Sequence, residues 1–389
     1  MWPLDGAARA YAWGSATAIP ELLGVPASGE PVAELWFDRE LPFLLKILAA
    51  DRALSIQVHP TAEQARAGFA DEQARGIPQN APERNYRDAN HKPELLCALT
   101  DFDALCGFRP VTQTLRFLDA LGVAELVPVR DALAGPDGLR AAFTLLLATP
   151  AFGQPPLIAA VIAACRRLAE AGGEWSLAAN ASVSAARDFP GDIGAVLALL
   201  LNAVRLAPGE AIFLAAGNVH AYLCGVGVEI MANSDNVLRC GLTPKHVDVP
   251  EVLRITDFTA LVEPRYRSGP VSGDERACFA PVPDFQLTVH TVGETSGETS
   301  PASPAGSGTE PGDSGQSGRA DPRPRIVLCT HGTVTVTAGP TVTAGPTVTA
   351  GTEVLVLEPG RAAFVAGGTA IRLTGAGTVY EATTAPPNA

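Results

Sequence analysis

The spacing of apolar positions changes twice along the chain. Between positions 41 and 60 buried-type residues form two short runs separated by Asp51-Arg52, a pattern typical of two strands and a turn. Positions 95–109 are again apolar with short interruptions, and strand-like runs return at 211–216 and 226–231. This pattern predicts an antiparallel β region that is built from two separated parts of the chain.

A helical block is predicted between these two parts. From 112 to 204 apolar residues recur at three- and four-residue spacing, which is the period of amphipathic helices. Gly135-Pro136-Asp137-Gly138 and Gly153-Gln154-Pro155-Pro156 provide breaks between helices. We therefore expect a helical domain at 112–204, inserted in or packed beside a β-barrel formed by residues 1–111 and 205–267.

A second small barrel is predicted at 268–389. Residues 294–325 contain no Val, Ile, Leu, Met or aromatic residue, so this stretch is predicted to be a flexible loop. Short β-rich runs follow it, and a Thr-Ala-Gly-Pro-Thr-Val repeat at 337–351 is interpreted as a duplication in a hairpin loop. The predicted fold class is mainly β with a helical block, comprising two barrels and an α-helical domain.

Composition and charge narrow the function classes. The 389 residues are 47% apolar and 18% charged, which indicates a globular protein of two or three domains. A net charge of −13 argues against a broad nucleic-acid or anionic-membrane surface, because such surfaces need clustered Lys and Arg. An acidic protein that handles a phosphorylated metabolite must instead build a local basic pocket.

The location of the protein is predicted from three absences in the sequence. The first residues show neither the basic nor the apolar part of a signal peptide. The longest apolar runs are shorter than the roughly 20 residues of a membrane-spanning helix. The seven cysteines include no CxxC pair and are expected to be reduced thiols. We expect a cytoplasmic protein that binds neither nucleic acid nor membranes, and a monomer.

Four polar residues at separated positions form a candidate metal site. In Ser55-Ile56-Gln57-Val58-His59-Pro60, Gln57 and His59 leave the same face of a strand, although the solvent side of an edge strand would look alike. Glu94 ends Asn90-His91-Lys92-Pro93-Glu94, a possible solvated turn, and His220 alone could be a satisfied core histidine. Together two imidazoles, a carboxylate and an amide oxygen suit a catalytic divalent ion such as zinc.

A basic group accompanies this set. Arg239 and Lys245 lie in the second β part, and Lys92 lies beside Glu94. These cations are a candidate phosphate clamp, with Arg supplying a fork of donors and Lys a point charge. A surface strip of salt bridges with Asp235 and Asp248 is the alternative interpretation.

These motifs resemble the type I mannose-6-phosphate isomerase family of the cupin superfamily. The resemblance runs through residues 11–15, 33–36, 41–46, 55–60, 90–95, 217–223 and 227–245, whereas the chain after 267 is similar only in general character. It implies a cupin (jelly-roll) fold and one Zn²⁺ per chain. The implied zinc ligands are Gln57, His59, Glu94 and His220.

The resemblance also implies roles for the pocket residues. Arg239 and Lys92 are expected to be catalytic, and five further residues are expected to contact the sugar phosphate: Ser55, His91, Glu229, Asp235 and Lys245. The implied reaction interconverts D-mannose 6-phosphate and D-fructose 6-phosphate through a cis-enediol, feeding mannose and GDP-mannose metabolism. A group among Lys92, His91, Glu229 and Asp235 is expected to carry the proton between C1 and C2.

Two features of the sequence leave alternatives open. Glu63 lies four residues after His59, where many other cupins place their carboxylate ligand, and it competes with Glu94. Two histidines and one carboxylate on a cupin barrel are also typical of non-haem iron oxygenases. A non-catalytic sugar-binding cupin is the third interpretation.

Overall fold

The structure is a computed structural model that describes residues 1–269, 275–293, 320–339 and 352–386. The loop predicted at 294–325 lies outside the described residues up to 319, and the repeat predicted at 337–351 lies outside them from 340 onwards. The described strands and helices confirm the predicted class, mainly β with a helical block.

The larger of two sheets contains eleven strands within the described ranges. Strands are numbered in chain order, and those of this sheet are β2 (Ala7–Arg9), β3 (Glu34–Phe37), β4 (Phe43–Ala50), β5 (Ile56–Val58), β6 (Glu94–Ala98), β7 (Phe102–Phe108), β8 (Leu201–Leu206), β9 (Ala211–Leu214), β10 (His220–Ala232), β11 (Leu238–Gly241) and β12 (Arg265–Tyr266). The predicted strands of positions 41–60 correspond to β4 and β5.

The long strand β10 holds the larger sheet together. Its first half pairs with β5 and β7, and its second half pairs with β4 and β6, always antiparallel. An irregularity between Tyr222 and Cys224 separates the two halves. The register sets His220 opposite Gln57 and Glu229 opposite Lys46. Residues directly opposite each other project from the same face, so the charged residues of several strands meet on one side.

The smaller sheet contains seven strands of the described residues. They are β1 (Trp2–Leu4), β13 (Glu275–Val282), β14 (Phe285–Val292), β15 (Arg325–Ala338), β16 (Glu353–Leu357), β17 (Ala362–Val365) and β18 (Ile371–Thr383). Pairing of β1 with β17 corrects the predicted division, which placed residues 1–111 with the first barrel. The physical reason is that β1 covers the edge of β17 while Leu4 is buried in the core between the sheets.

Most of the helices lie in one continuous stretch. The helices are α1 (Ala18–Leu22), α2 (Ala62–Ala74), α3 (Val111–Leu121), α4 (Val127–Ala134), α5 (Gly138–Leu147), α6 (Gln154–Ala171), α7 (Ser176–Asp188), α8 (Gly194–Leu197) and α9 (Val249–Ile255). The stretch from α3 to α8 is inserted between β7 and β8, which pair with each other. Because β8 begins at Leu201, the helices end slightly before position 204. Within the described ranges, no helix is long and apolar enough to cross a membrane.

Alternating residues of the larger sheet face different cores. On β4 and β6, Leu45, Ile47 and Leu95 enter an apolar core shared with the smaller sheet. Outward residues of β5 and β11 enter a second core formed with the helices. The intervening residues of these strands point to the opposite, inner face, where Lys46 and Glu94 are buried. Each strand thus anchors its polar inner residues through apolar neighbours on both sides.

Candidate metal centre and its surroundings

Three buried side chains converge at one end of the inner face. His59 directly follows β5, Glu94 is the first residue of β6, and His220 is the first residue of β10. Nε2 of His59 and Nε2 of His220 each lie 3.4 Å from Oε2 of Glu94. None of these three atoms has a hydrogen-bond partner, although both rings are 0% and Glu94 is 2% exposed. Three buried ligand atoms that lie close together without hydrogen-bond partners fit a divalent ion, because coordination would satisfy all of them.

The other ring nitrogens fix the two imidazoles. Nδ1 of His59 lies 2.8 Å from the carbonyl oxygen of Asn236, and Nδ1 of His220 lies 3.0 Å from that of Asn218. A carbonyl only accepts, so each Nδ1–H donates and each Nε2 presents its lone pair to Glu94. This arrangement of backbone acceptors behind histidines is the usual support of metal ligands.

The electrostatics keep His59 and Glu94 in the form that binds a metal ion. Burial lowers the pKa of His59 from 6.5 to about 4, against the opposing effect of the Glu94 carboxylate. Burial alone would raise the pKa of Glu94, but the charge of Lys92 and the two adjacent imidazoles hold it well below 4.5. At neutral pH His59 is therefore neutral and Glu94 is anionic, as a metal ion requires.

Gln57 and Lys92 adjoin this cluster. Gln57 is half-buried and stands opposite both His220 and Arg239 in the sheet register, so all three project from the same face. Nζ of Lys92 lies 3.0 Å from Oε1 of Glu94, the carboxylate oxygen that does not face the imidazoles. The structure thus brings a buried cation against the metal cluster.

A group of unpaired cations lies beside the cluster. Arg239 on β11 and Lys245 after it have no ion-pair partner within the described residues, and neither has Arg87. Burial and the Arg87 charge lower the pKa of Arg239, and the charges of Arg239 and Arg87 together with burial lower that of Lys245. Like charges held close without a carboxylate form a site for an anion.

A buried ionic network lies on the same inner face. Nζ of Lys46 is 2.8 Å from Oε1 of Glu34 and 2.6 Å from Oε2 of Glu229. Tyr222 donates its hydroxyl to Oε1 of Glu229 at 2.5 Å, and Nε1 of Trp36 donates to Glu34 at 2.7 Å. Burial would lower the pKa of Lys46, but Glu229 and Glu34 raise it, so the ammonium stays charged. Glu229, one of the predicted pocket residues, is held here as a partner of Lys46.

Four other residues singled out from the sequence are not part of the His59–Glu94–His220 cluster. The ring of His91 contacts Asp284 of the β13–β14 turn, with Nε2 at 2.9 Å from Oδ1. Asp235 is exposed, and its backbone N–H donates to Asp88. Glu63 is exposed on the first turn of α2, outside the His-Glu-His cluster. Ser55 immediately precedes β5.

Asn236 connects the cluster with the segment that leads to Glu94. Its carbonyl accepts from His59, and its side-chain oxygen accepts from the backbone N–H of Arg87 and of Asp88 at 2.7 and 3.2 Å. Its side-chain nitrogen donates to the carbonyls of Asp88 and Asn90, both at 2.9 Å. Asn236 is fully buried, so these bonds fix two parts of the site relative to each other.

Sequence reasoning missed Arg87, Asn236 and the pair Lys46 and Glu34 as functional candidates. For Lys46 a signal existed, because a lysine inside the apolar run of β4 is buried only with a partner. Arg87 and Asn236 lie outside regular elements, where no periodicity identifies them. Together these groups supply Lewis-acid ligands, a buried cation and an anion site, which suit proton transfer next to a polarised oxygen.

Comparisons with known proteins agree with this geometry. A profile of the catalytic domain of type I phosphomannose isomerases matches residues 37–111. The mannose-6-phosphate isomerase of Escherichia coli is 34% identical over 94% of this chain and 95% of that protein. The human enzyme of the same name is 30% identical over 74% of this chain and 81% of that protein.

Solved structures resemble the whole fold. A crystal structure of mannose 6-phosphate isomerase from Salmonella typhimurium, bound to fructose 6-phosphate and zinc, covers 99% of this chain and 100% of its own. Its TM-score is 0.82 at 32% identity. A zinc-bound holo structure of mannose 6-phosphate isomerase gives the same TM-score at 31% identity, covering 99% of each chain.

Proposed function

The chain belongs to the type I mannose-6-phosphate isomerase family, and we propose that it interconverts D-mannose 6-phosphate and D-fructose 6-phosphate with one zinc ion per chain. The observation that carries this proposal is the convergence of three orphaned ligand atoms beside an unpaired basic group. In a cell the reaction would connect fructose 6-phosphate with mannose and GDP-mannose metabolism, and we include this role in the proposal.

The proposed zinc ligands are His59, Glu94 and His220, with Gln57 as the fourth. Nitrogen and oxygen donors without thiolate are typical of catalytic zinc, and a single carboxylate leaves the ion electrophilic. When bound, zinc supplies a positive charge that stabilises the oxyanions at C1 and C2.

The cations Arg239, Lys245 and Arg87 are proposed to hold the substrate's phosphate and neutralise charge in the pocket. Arg239 is partly buried and stands opposite Gln57, so it projects from the same face of the sheet as this proposed zinc ligand. Lys245 is exposed and marks the solvent side of this group. A dianionic phosphate beside three unpaired cations makes charge-assisted bonds that a neutral sugar cannot make.

Lys92 is the proposed proton carrier. One proton moves from C2 to C1 of the open-chain sugar and another from O2 to O1 through the cis-enediol, and Nζ of Lys92 is the group proposed to carry the first of them. Among the four sequence candidates, His91 is engaged with Asp284, Glu229 with Lys46, and Asp235 is exposed. Lys92 is the candidate that directly contacts the metal cluster.

A coupled assay with mannose 6-phosphate, with and without chelator, tests the proposal, and metal analysis of the purified protein accompanies it. We expect turnover that chelation abolishes and zinc restores, with about one zinc per chain. Iron with oxygen consumption would instead indicate an oxygenase, and bound metal without turnover would indicate a sugar-binding protein. Either result would contradict the proposal.

Variants assign the roles. Lys92→Met should lower kcat by about 10² to 10⁴ with zinc content unchanged at saturating zinc, because it removes the proposed proton carrier and none of the zinc ligands. Arg116→Met is the matched control, since Arg116 lies on the surface of the helical block in an ion pair with Glu174. Near-normal turnover in Lys92→Met would exclude Lys92 as the proton carrier.

A further inference from the structure

Segment 87–93 has neither helix nor strand and leads Lys92 and Glu94 into the metal centre. One side of this segment is held by the larger sheet. Besides the bonds from Asn236, Ser234 donates its hydroxyl to Asp88 at 2.9 Å. Beyond position 91, the backbone N–H of Ala232 on β10 donates to the carbonyl of Pro93 at 3.1 Å, so His91 and Lys92 lie between two anchored parts of the chain.

The smaller sheet makes a polar contact at this position. His91 Nε2 lies 2.9 Å from Oδ1 of Asp284, a residue 193 positions away along the chain. The two side chains are 31% and 24% exposed, so the pair is partly shielded from water. An acidic group from the smaller sheet thus reaches the residue immediately before Lys92.

Asp284 occupies a rigid position. It lies in the turn between β13 and β14, next to Phe285, which is fully buried in the core between the two sheets. The carbonyl of Pro283 accepts a hydrogen bond from the backbone of Ala385 at 3.2 Å. Because both neighbours of Asp284 are anchored, its carboxylate is a fixed point to which segment 87–93 is tied.

We propose that Asp284 is a positioning residue, through which the smaller sheet acts on the active site: by holding His91, it sets the place of Lys92 beside the metal ligand Glu94. This inference rests on the proposed function for its catalytic part and on the metal cluster alone for its binding part. It assigns to the C-terminal region a task beyond structural support.

The site tolerates little movement of Lys92. Lys92 follows His91 directly, and its Nζ is 3.0 Å from Glu94. A displacement of ~1 Å in a catalytic group can cost about 10² in rate, even when the cause lies outside the chemistry. Loss of the anchor therefore affects zinc affinity and kcat more strongly than substrate binding.

The test compares Asp284→Ala and Asp284→Glu with the wild type in full-length protein. Zinc affinity is measured by competition with a chromogenic chelator, and kcat and KM by the coupled assay. We expect Asp284→Ala to weaken zinc binding and lower kcat by about 10-fold each, with KM changed by less than about 3-fold, and Asp284→Glu to recover part of both losses. If Asp284→Ala does not fold, Asp284→Asn is measured against the same expectations.

Two controls separate this role from a general loss of stability. Asp103→Asn removes an acid of similar exposure from the Asp103–Arg205 ion pair on the larger sheet, and it should leave both readouts unchanged. In a His91→Gln background, Asp284→Ala should add less than about 2-fold, because the two residues act through one contact.

The outcomes are distinct. Zinc affinity and kcat within about 2-fold of wild type in Asp284→Ala, or an equally large loss in the His91→Gln background, would overturn the inference. If the wild-type protein binds zinc but does not turn over mannose 6-phosphate, the proposed function fails, and the zinc-affinity comparison still decides the role of Asp284.

Discussion

Acidification of the zinc-free protein tests whether His59 is a buried, neutral ligand. Burial lowers its pKa from 6.5 to about 4 in the folded protein. The unfolded chain therefore binds a proton at this residue below pH 6.5, whereas the folded protein does so only near pH 4. Stability is fully present above pH 6.5 and is lost as the pH falls towards 4.

The loss of stability is set by the difference between the pKa of His59 in the unfolded chain and in the folded protein. A pKa difference of one is equivalent to about 1.4 kcal/mol, so His59 accounts for a loss of roughly 2 kcal/mol between about pH 7 and pH 5. The window lies above the range in which Glu94 contributes, since the pKa of that carboxyl is below its ordinary 4.5. Acidification to pH 5 thus separates the contribution of His59 from that of Glu94.

Urea unfolding of the zinc-free wild type and of His59→Asn over this pH range is the appropriate measurement. The wild type should lose roughly 2 kcal/mol more than His59→Asn, which has no group to titrate there. His246→Asn is the matched control, because His246 is exposed, and it should follow the wild type. Equal losses in wild type and His59→Asn would refute the picture of a neutral ring in a site prepared for metal.

Three further changes test the surroundings of the metal cluster. Arg87→Ala should raise KM for the sugar phosphate by about 10-fold with kcat nearly unchanged, as expected for a lost charged hydrogen bond. Arg66→Ala, at an exposed arginine, should change neither constant, and an unchanged KM in Arg87→Ala would show that Arg87 does not belong to the anion site. Lys46→Met should lower the free energy of unfolding, measured by urea denaturation, by about 3–5 kcal/mol, because two buried carboxylates lose their cation. The double variant Lys46→Met/Glu229→Gln should recover part of this loss, and a loss below ~1 kcal/mol in Lys46→Met would contradict the buried ion pair. Asn236→Ala should weaken zinc binding by about 10- to 100-fold in chelator competition, because it removes the side-chain hydrogen bonds to segment 87–93. Wild-type affinity would show that these hydrogen bonds are not needed for zinc binding.

Periodicity and spacing sufficed to predict much of the architecture and to single out the candidate ligands of the central cluster. The 3.6-residue period identified the helical block, because its helices each bury one face, and the strands around Gln57 and Glu94 were evident from short apolar runs. The four proposed ligands were found because histidines and carboxylates are chemically conspicuous. Their convergence could only be expected from the family resemblance, since no spacing rule relates residues on β5, β6 and β10.

The remaining features depend on pairings between distant parts of the chain. Strand β1 has three residues and no alternation, so its place beside β17 carries no local signal. The partners of Lys46 come from β3 and β10, and the partner of His91 comes from a turn near position 284. Such contacts arise from tertiary packing, which a pattern along one segment does not encode.

The alternation of inner charge and outer apolar residue on β4, β6 and β10 limits how this protein can change over evolutionary time. Inserting or deleting one residue within any of these strands would turn Lys46, Glu94 or Glu229 towards the apolar core between the two sheets. It would also turn a leucine or isoleucine towards the inner face that carries the proposed active site. Loops can lengthen or shorten freely by comparison. We therefore expect insertions and deletions within these three strands to disturb both the site and the fold.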